Sequence, residues 1–408
     1  MRLAVLGHSC VLARNQAKYV ALRRLDPELK LRLIVPRWTP NPVYRMRYAT
    51  ERNEGLSASE LVTVGAAFAR SHMLMLFDPR TIARTFYDFQ PDVVHVEEES
   101  HALLSVEAAI LRAAFAPRAA LTFFTWDNLL RSRRFPLGAA KKFLRRFTLA
   151  RTDALVCGNR EAERLARLEG CAPATYVLPQ FGLDPADHVP GTEPELRREL
   201  GLGDGIVVGY AGRLIAEKGL RLLYESLAAL PDHPWKLLLV GGGPLETKIS
   251  NEWIPRFPGK IVRIPPVSHA EVPRYLRAMD IFVLNSYEIP TWKEQFGLSL
   301  AQAMMLGLAC LASDSGALPE VADDAAVVVG ERNAAELRSA LEALLASPDF
   351  RRTLGQRARQ RALERYTNEE VALRYREVFE QAATRRAGLS HAPQMAAPSE
   401  APHRATRR

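Results

Sequence analysis

Arg213 and Lys218 stand five residues apart in the segment Ile206-Val207-Val208-Gly209-Tyr210-Ala211-Gly212-Arg213-Leu214-Ile215-Ala216-Glu217-Lys218-Gly219. The apolar run reads as a buried strand that ends around Gly209–Gly212, where glycine lets backbone come close to a ligand. A helix is expected to begin near Gly219, so its free N–H groups and positive dipole end would face the same loop. Two cations on such a loop can close on one diphosphate from different sides, Arg as a planar fork and Lys as a point charge. The competing reading is a pair of solvated charges on an ordinary strand-to-helix loop.

Two further segments add chemistry. The next apolar run, Lys236–Val240, ends in Gly241-Gly242-Gly243-Pro244, which lies where open α/β sheets bind ligands if it is not merely a tight turn. The third is Glu294-Gln295-Phe296-Gly297, followed by the helical pattern Leu298–Leu306 that carries Gln302. A carboxylate at Glu294 can accept charge-assisted hydrogen bonds from neighbouring sugar hydroxyls. As a lone residue it could equally serve only to complement the helix dipole.

The elements that must position these groups alternate between short β-rich runs and longer helical patterns, the mark of parallel sheets covered on both faces. The first half gives strands at 2–6, 31–35, 93–96, 120–124, 154–157 and 175–177, and the second at 206–210, 236–240, 261–264, 281–284, 309–312 and 326–328. The expected fold class is therefore α/β, with two Rossmann-like, doubly wound domains facing a cleft. The divisions are 1–184, a Pro/Gly-bearing linker over 185–204, and a second domain over 205–366. A C-terminal helix over 367–386 is expected to return to the first domain, ahead of a disordered tail over 387–408. The segment Pro36–Tyr48, with three prolines and three large aromatics, is expected to be an exposed loop.

Taken in order, G-R-x-x-x-E-K-G, V-G-x-G-P and E-x-F-G with a polar residue eight positions after the Glu resemble the glycosyltransferases of the GT-B fold, family 4. Phe181-Gly182-Leu183-Asp184 and Ser313-Asp314-Ser315-Gly316-Ala317-Leu318-Pro319-Glu320 extend the match. The resemblance is close over 205–330 and looser over 90–185. It implies transfer of a sugar, with retention, from a nucleotide-diphosphate donor to an acceptor. By position, Arg213 and Lys218 would neutralise the departing diphosphate, and Glu294 would hold sugar hydroxyls beside the Gln295, Phe296 and Gly297 backbone. Gly212, Gly241, Gly242 and Gly243 would approach the phosphates, Pro266 and Val267 would line the base, and Gln302 would hold the ribose. Fixed cations and helix ends can stabilise such a leaving group alone. No cofactor and no metal are therefore expected, and the chain contains no Asp-x-Asp.

Two departures stand out. Relatives of this kind usually carry Glu where this chain has Gln302. They also place a His after the strand equivalent to 120–124, where Trp126 stands here. Asp127 is then the residue chosen for proton handling, with His8, Asn15, Asn128 and the Glu97-Glu98-Glu99 run as further polar candidates near the acceptor. His95, inside an apolar strand, reads as a core histidine.

The 408 residues include 48% apolar and 25% charged side chains, the balance of a globular protein long enough for two cores. No apolar run reaches the length of a membrane span, and the opening residues lack the form of a signal peptide. Four scattered cysteines suggest neither a zinc site nor a disulfide framework, so a cytoplasmic setting is expected. The net charge of +9 is lopsided, since residues 1–185 hold 27 Lys/Arg against 18 Asp/Glu. Residues 128–152 carry eight of these cations and no acid. The run Lys141–Phe147 is amphipathic, which fits peripheral contact with anionic membrane or a lipid-linked or growing-glycan acceptor. Phe143 and Phe147 are expected to pack on the sheet. No nucleic-acid-binding module is recognisable. The alternatives kept open are a non-catalytic sugar-nucleotide-binding subunit and a sugar-nucleotide epimerase on the same fold.

Overall fold

A computed structural model of the chain describes residues 1–41, 46–129, 137–171 and 173–388. Two parallel sheets dominate it. The first has seven strands in the spatial order Ala174–Val177, Ala154–Cys157, Ala120–Thr125, Val93–Val96, Arg2–Leu6, Lys30–Pro36 and Leu61–Val64. The second has six, in the order Ile261–Ile264, Trp235–Val240, Ile206–Ala211, Ile281–Leu284, Ala309–Ser313 and Val327–Val329. In each sheet the order reverses beside the first strand. That point lies between 2–6 and 93–96 in one sheet, and between 206–211 and 281–284 in the other. Loops leaving the carboxyl ends of strands at such a reversal open a crevice.

The inner strands, such as Val93–Val96 and Ile281–Leu284, are fully buried, largely apolar runs because helices cover both faces. Leu61–Val64 was not anticipated, since a half-exposed edge strand of four residues lacks that apolar signal. The Pro36–Tyr48 region is not simply a loop. Trp38–Asn41 pairs antiparallel with Met46–Ala49, and the Arg47 guanidinium lies 4.2 Å from the Trp38 ring centroid. Pro40 is tolerated because a two-stranded ribbon leaves outward N–H positions unused. Within the expected linker, Pro194–Glu199 forms a short helix with Pro194 at its first turn.

The chain crosses between the sheets twice, side by side. Leu183 N–H donates to the Tyr366 carbonyl at 2.7 Å and Asn368 N–H to the Leu183 carbonyl at 2.9 Å. After the second crossing, helix Asn368–Arg386 packs on the first sheet. Val371, Ala372, Tyr375, Val378, Phe379 and Ala382 join that sheet's core with Tyr19 and Leu22. Most of the tail lies outside the described residues, as does much of the start of the basic segment.

Helix Leu137–Leu149 departs from expectation at Phe143. Phe147 is partly buried against the first core, but Phe143 is 69% exposed, beside exposed Lys142 and Arg146. Among the described residues, no helix is long and apolar enough to cross a membrane.

Candidate active site

The loop after Ile206–Ala211 carries Gly212, an exposed Arg213 and, in a turn at Ala216–Lys218, Lys218 itself. The neighbouring loop touches it through glycine. Gly241 has φ 137°, and a Cβ there would fall 1.9 Å from the Gly212 carbonyl oxygen, so only glycine lets the two loops meet. Gly242 lies under Pro266, and the Gly243 N–H donates to the Glu246 carboxylate at 2.7 Å. Pro266 is exposed and Val267 half-buried against the second core.

Across the reversal point, Glu294 arrives from the loop after Ile281–Leu284. Its Oε2 accepts from Lys218 Nζ at 2.5 Å and from Ser286 Oγ at 2.9 Å. The Lys218 and Glu294 side chains are only 11% and 10% exposed, so a charge-assisted contact there is little screened. Lys218 Nζ also lies 5.0 Å from the Trp292 ring centroid. The Arg213 guanidinium, by contrast, makes no hydrogen bond or ion pair among the described residues. It remains available to an anion.

Gly297, at φ 82°, caps helix Leu298–Met305 in a conformation that disfavours other residues. The segment before it is gripped by the first domain. Asn128 Nδ2 donates to the Glu294 carbonyl at 2.9 Å, Asn159 Nδ2 to the Gln295 carbonyl at 2.8 Å, and Gln295 Nε2 to the Trp126 carbonyl at 3.2 Å. The Phe296 ring sits 6.0 Å from that of Trp126. Gln295 and Phe296 therefore serve the seam between domains. Gln302 is buried, its Nε2 lying 3.4 Å from His188 Nε2.

Asp127, the residue expected to handle a proton, is held by two cations. Its Oδ2 accepts from Lys141 Nζ at 2.9 Å and Arg145 Nη1 at 3.1 Å. Burial works to raise its pKa, but these cations outweigh burial and hold the carboxyl below its ordinary range. Such a group accepts protons poorly at neutral pH. Glu99 behaves oppositely. Burial, then the charge of Asp127, pushes it up to about 7, against hydrogen bonds from Thr125 Oγ1 at 2.5 Å and Trp126 N–H at 2.8 Å.

The neighbouring acids are engaged too. Glu98 Oε1 accepts from the His8 N–H at 2.8 Å and from His8 Nδ1 at 2.5 Å. Glu97 is buried among Lys18, Tyr19, Ser9 and Gln180. His95 bonds Thr122 Oγ1 at 2.8 Å, and burial drives its pKa down to about 3, the state of a neutral core histidine. Asn15 donates to the Ser9 carbonyl at 2.7 Å. Among the described residues, Glu99, His101 and Asp127 bring ligand-type atoms within 4.8 Å of one another. Lys141 and Arg145 already neutralise Asp127 there.

Trp126 points inward. Its ring lies on Gly158, and its Nε1 donates to Gln180 Oε1 at 2.7 Å. Ser286, Asn159, Gln180 and His188 escaped the sequence reading, because short polar side chains after strand ends carry no spacing signal. Ser286 and Asn159 had one clue, each standing two residues beyond a buried strand.

The geometry has counterparts. Residues 192–361 match the family of glycosyl transferases group 1. A D-inositol 3-phosphate glycosyltransferase of Xylanimonas cellulosilytica is 32% identical over 255 residues, 58% of this chain and 59% of that protein. One of the same name from Saccharomonospora viridis is 28% identical over 236 residues, 52% of each. The chain thus spans about half the length of the curated relatives it matches. Among solved structures, the sucrose-phosphate synthase of Thermosynechococcus elongatus has a TM-score of 0.69 at 18% identity, covering 93% of this chain and 98% of that one. Anabaena HepE in complex with UDP gives 0.69 at 17%, over 93% and 100%. The fold is GT-B, and the group 1 region contains Arg213, Lys218, Gly241–Gly243, Glu294 and Gln302.

Proposed function

We propose that the chain is a glycosyltransferase that moves a sugar from a nucleotide-diphosphate donor to an acceptor, with retention and without a metal. The observation that carries this is the meeting of Lys218 and Glu294 at 2.5 Å across the reversal point of the second sheet, with Arg213 unengaged on the same loop. As the bond from the anomeric carbon to the phosphate oxygen breaks, negative charge grows on the diphosphate. Lys218 and Arg213 neutralise it, and the amino end of helix Leu298–Met305 adds its dipole. Glu294, with one oxygen committed to Lys218 and Ser286, offers the other to the sugar hydroxyls. Gln302 faces the ribose, and Pro266 and Val267 the base.

The HepE structures hold UDP and UDP-glucose, which favours uridine nucleotides as the first donors to try. The exposed basic helix supports a cytoplasmic enzyme in peripheral contact with anionic lipid, acting on a lipid-linked or glycan acceptor in cell-envelope, polysaccharide or glycolipid synthesis. The test is transfer of radiolabelled sugar from UDP-, GDP- and ADP-sugars. Lys218→Ala is expected to cut turnover by about a hundredfold or more, with nucleotide still bound. Donor binding by the native chain without transfer or hydrolysis, over a panel of acceptors, would instead mark a non-catalytic subunit, a reading that Gln302 and Trp126 favour. Conversion of the donor sugar without an acceptor would mark an epimerase.

A further inference from the structure

Gln302 stands at a position assigned above to the ribose, where the family that the chain resembles usually carries Glu, and His188, from the linker, lies against it. The two side chains are buried, with Gln302 Nε2 3.4 Å from His188 Nε2. The other face of the imidazole fixes its tautomer. His188 Nδ1 sits 2.9 Å from the Asp184 carbonyl oxygen. A carbonyl only accepts, so Nδ1 carries the proton, and in the neutral ring Nε2 is left as a lone pair. The side chain facing that lone pair must therefore donate. An amide can do so and an ionised carboxylate cannot.

The ring has little freedom to choose otherwise. Arg359 Nη1 holds the His188 carbonyl at 2.7 Å. Burial lowers the imidazole pKa, with Arg359 adding in the same direction. These prevail over the Asp184 carbonyl and the Asp184 and Asp187 carboxylates, which act to raise it.

We propose that His188 is a positioning residue for the donor nucleotide, holding the Gln302 amide with its NH2 turned inward and its Oε1 presented to a ribose hydroxyl. This rests on the donor-site reading above. It gives the Gln in place of Glu a physical reason: the lone pair of His188 excludes an ionised carboxylate at 302. The site then accepts one hydroxyl hydrogen bond through Oε1, where a carboxylate could accept two.

The experiment is calorimetric binding of UDP, GDP and ADP to the full chain across pH, for the native protein, Gln302→Glu, His188→Ala and the double variant. Gln302→Glu is expected to bind about tenfold more weakly near pH 8.5 and to recover as pH falls, when His188, its protonated form now favoured by the introduced carboxylate, takes up a proton and turns donor. The native protein and the double variant should lack that step, and the ionisation of the diphosphate itself is common to all four. If His188→Ala fails to fold, His188→Asn makes the same comparison with a side chain that does not titrate. Absence of a step in Gln302→Glu, or a step that survives removal of His188, overturns the proposal. Failure of the native chain to bind any of the three nucleotides overturns the donor-site reading beneath it.

Discussion

Lys218 and Glu294 are 76 positions apart in sequence and share a hydrogen bond. Their types and local motifs mark them as candidates in the sequence, but their mutual contact comes from the strand order, which brings both loops to one point. Asp127 shows the opposite. Its neighbours Trp126 and Asn128 suggested chemistry, yet its partners Lys141 and Arg145 lie on a later helix, and nothing in the local sequence pairs them. Glu99 was one letter in an acidic run until the fold gave Glu97 and Glu98 their partners Lys18 and His8 and set Glu99 beside the charge of Asp127.

Two consequences belong at this scale. Asp127→Asn should lower stability by about 1–3 kcal/mol, read as a fall in Tm near neutral pH. The native carboxyl has a lowered pKa, so its contribution is present above its ordinary value of 3.8 and fades as pH falls through the folded value. The gap between the two proteins should therefore shrink in acid. Glu99 has the reverse sign. Its folded pKa of about 7 lies above the ordinary 4.5, so ionisation costs stability as pH rises between those values. Glu99→Gln should keep both hydrogen bonds with Thr125 rotated, and should gain a few degrees in Tm at pH 8 over pH 5 relative to the native chain. A variant with the same relative Tm at both pH values would contradict this.

At the level of elements, the buried strands were the most legible part of the chain. Twelve runs of Val, Leu, Ile and small residues, each bounded by turn residues, reappear as strands within a residue or two of the expected ends. Elements whose formation depends on a neighbour were not legible. Leu61–Val64 exists because Lys30–Pro36 offers it an edge, and the Trp38–Asn41 ribbon because Met46–Ala49 folds back onto it. The glycine loop lies between these cases, since its letters are plain but its contact with Gly212 is not. Gly241→Ala must push the two loops apart. It is expected to weaken nucleotide binding by tenfold or more, at about 1–3 kcal/mol of stability. Unchanged affinity in a folded variant would show that the loops need not touch.

For the whole molecule, charge asymmetry and exposed Phe143 belong together, because lysine and arginine flank an aromatic that is left in water. Phosphatidylglycerol/phosphatidylcholine vesicles should float the protein at low salt and release it as salt rises. Phe143→Asp should reduce the bound fraction about fivefold or more without changing Tm by more than a degree or two. Equal flotation with purely zwitterionic vesicles would rule out an electrostatic contact.

The helix Asn368–Arg386 has a consequence in time. A ribosome makes the first sheet's strands before the second sheet's, but the first sheet's core is completed by Tyr375 and Phe379, which emerge only after the whole second sheet. The group 1 region can bury its own apolar surface before then. The first domain must wait with a groove open to water, so of these two domains the one synthesised first is the one that finishes folding last. Phe379→Ala, costing about 3–5 kcal/mol, should accordingly lower the yield of soluble chain more than an equally destabilising core substitution in the second sheet.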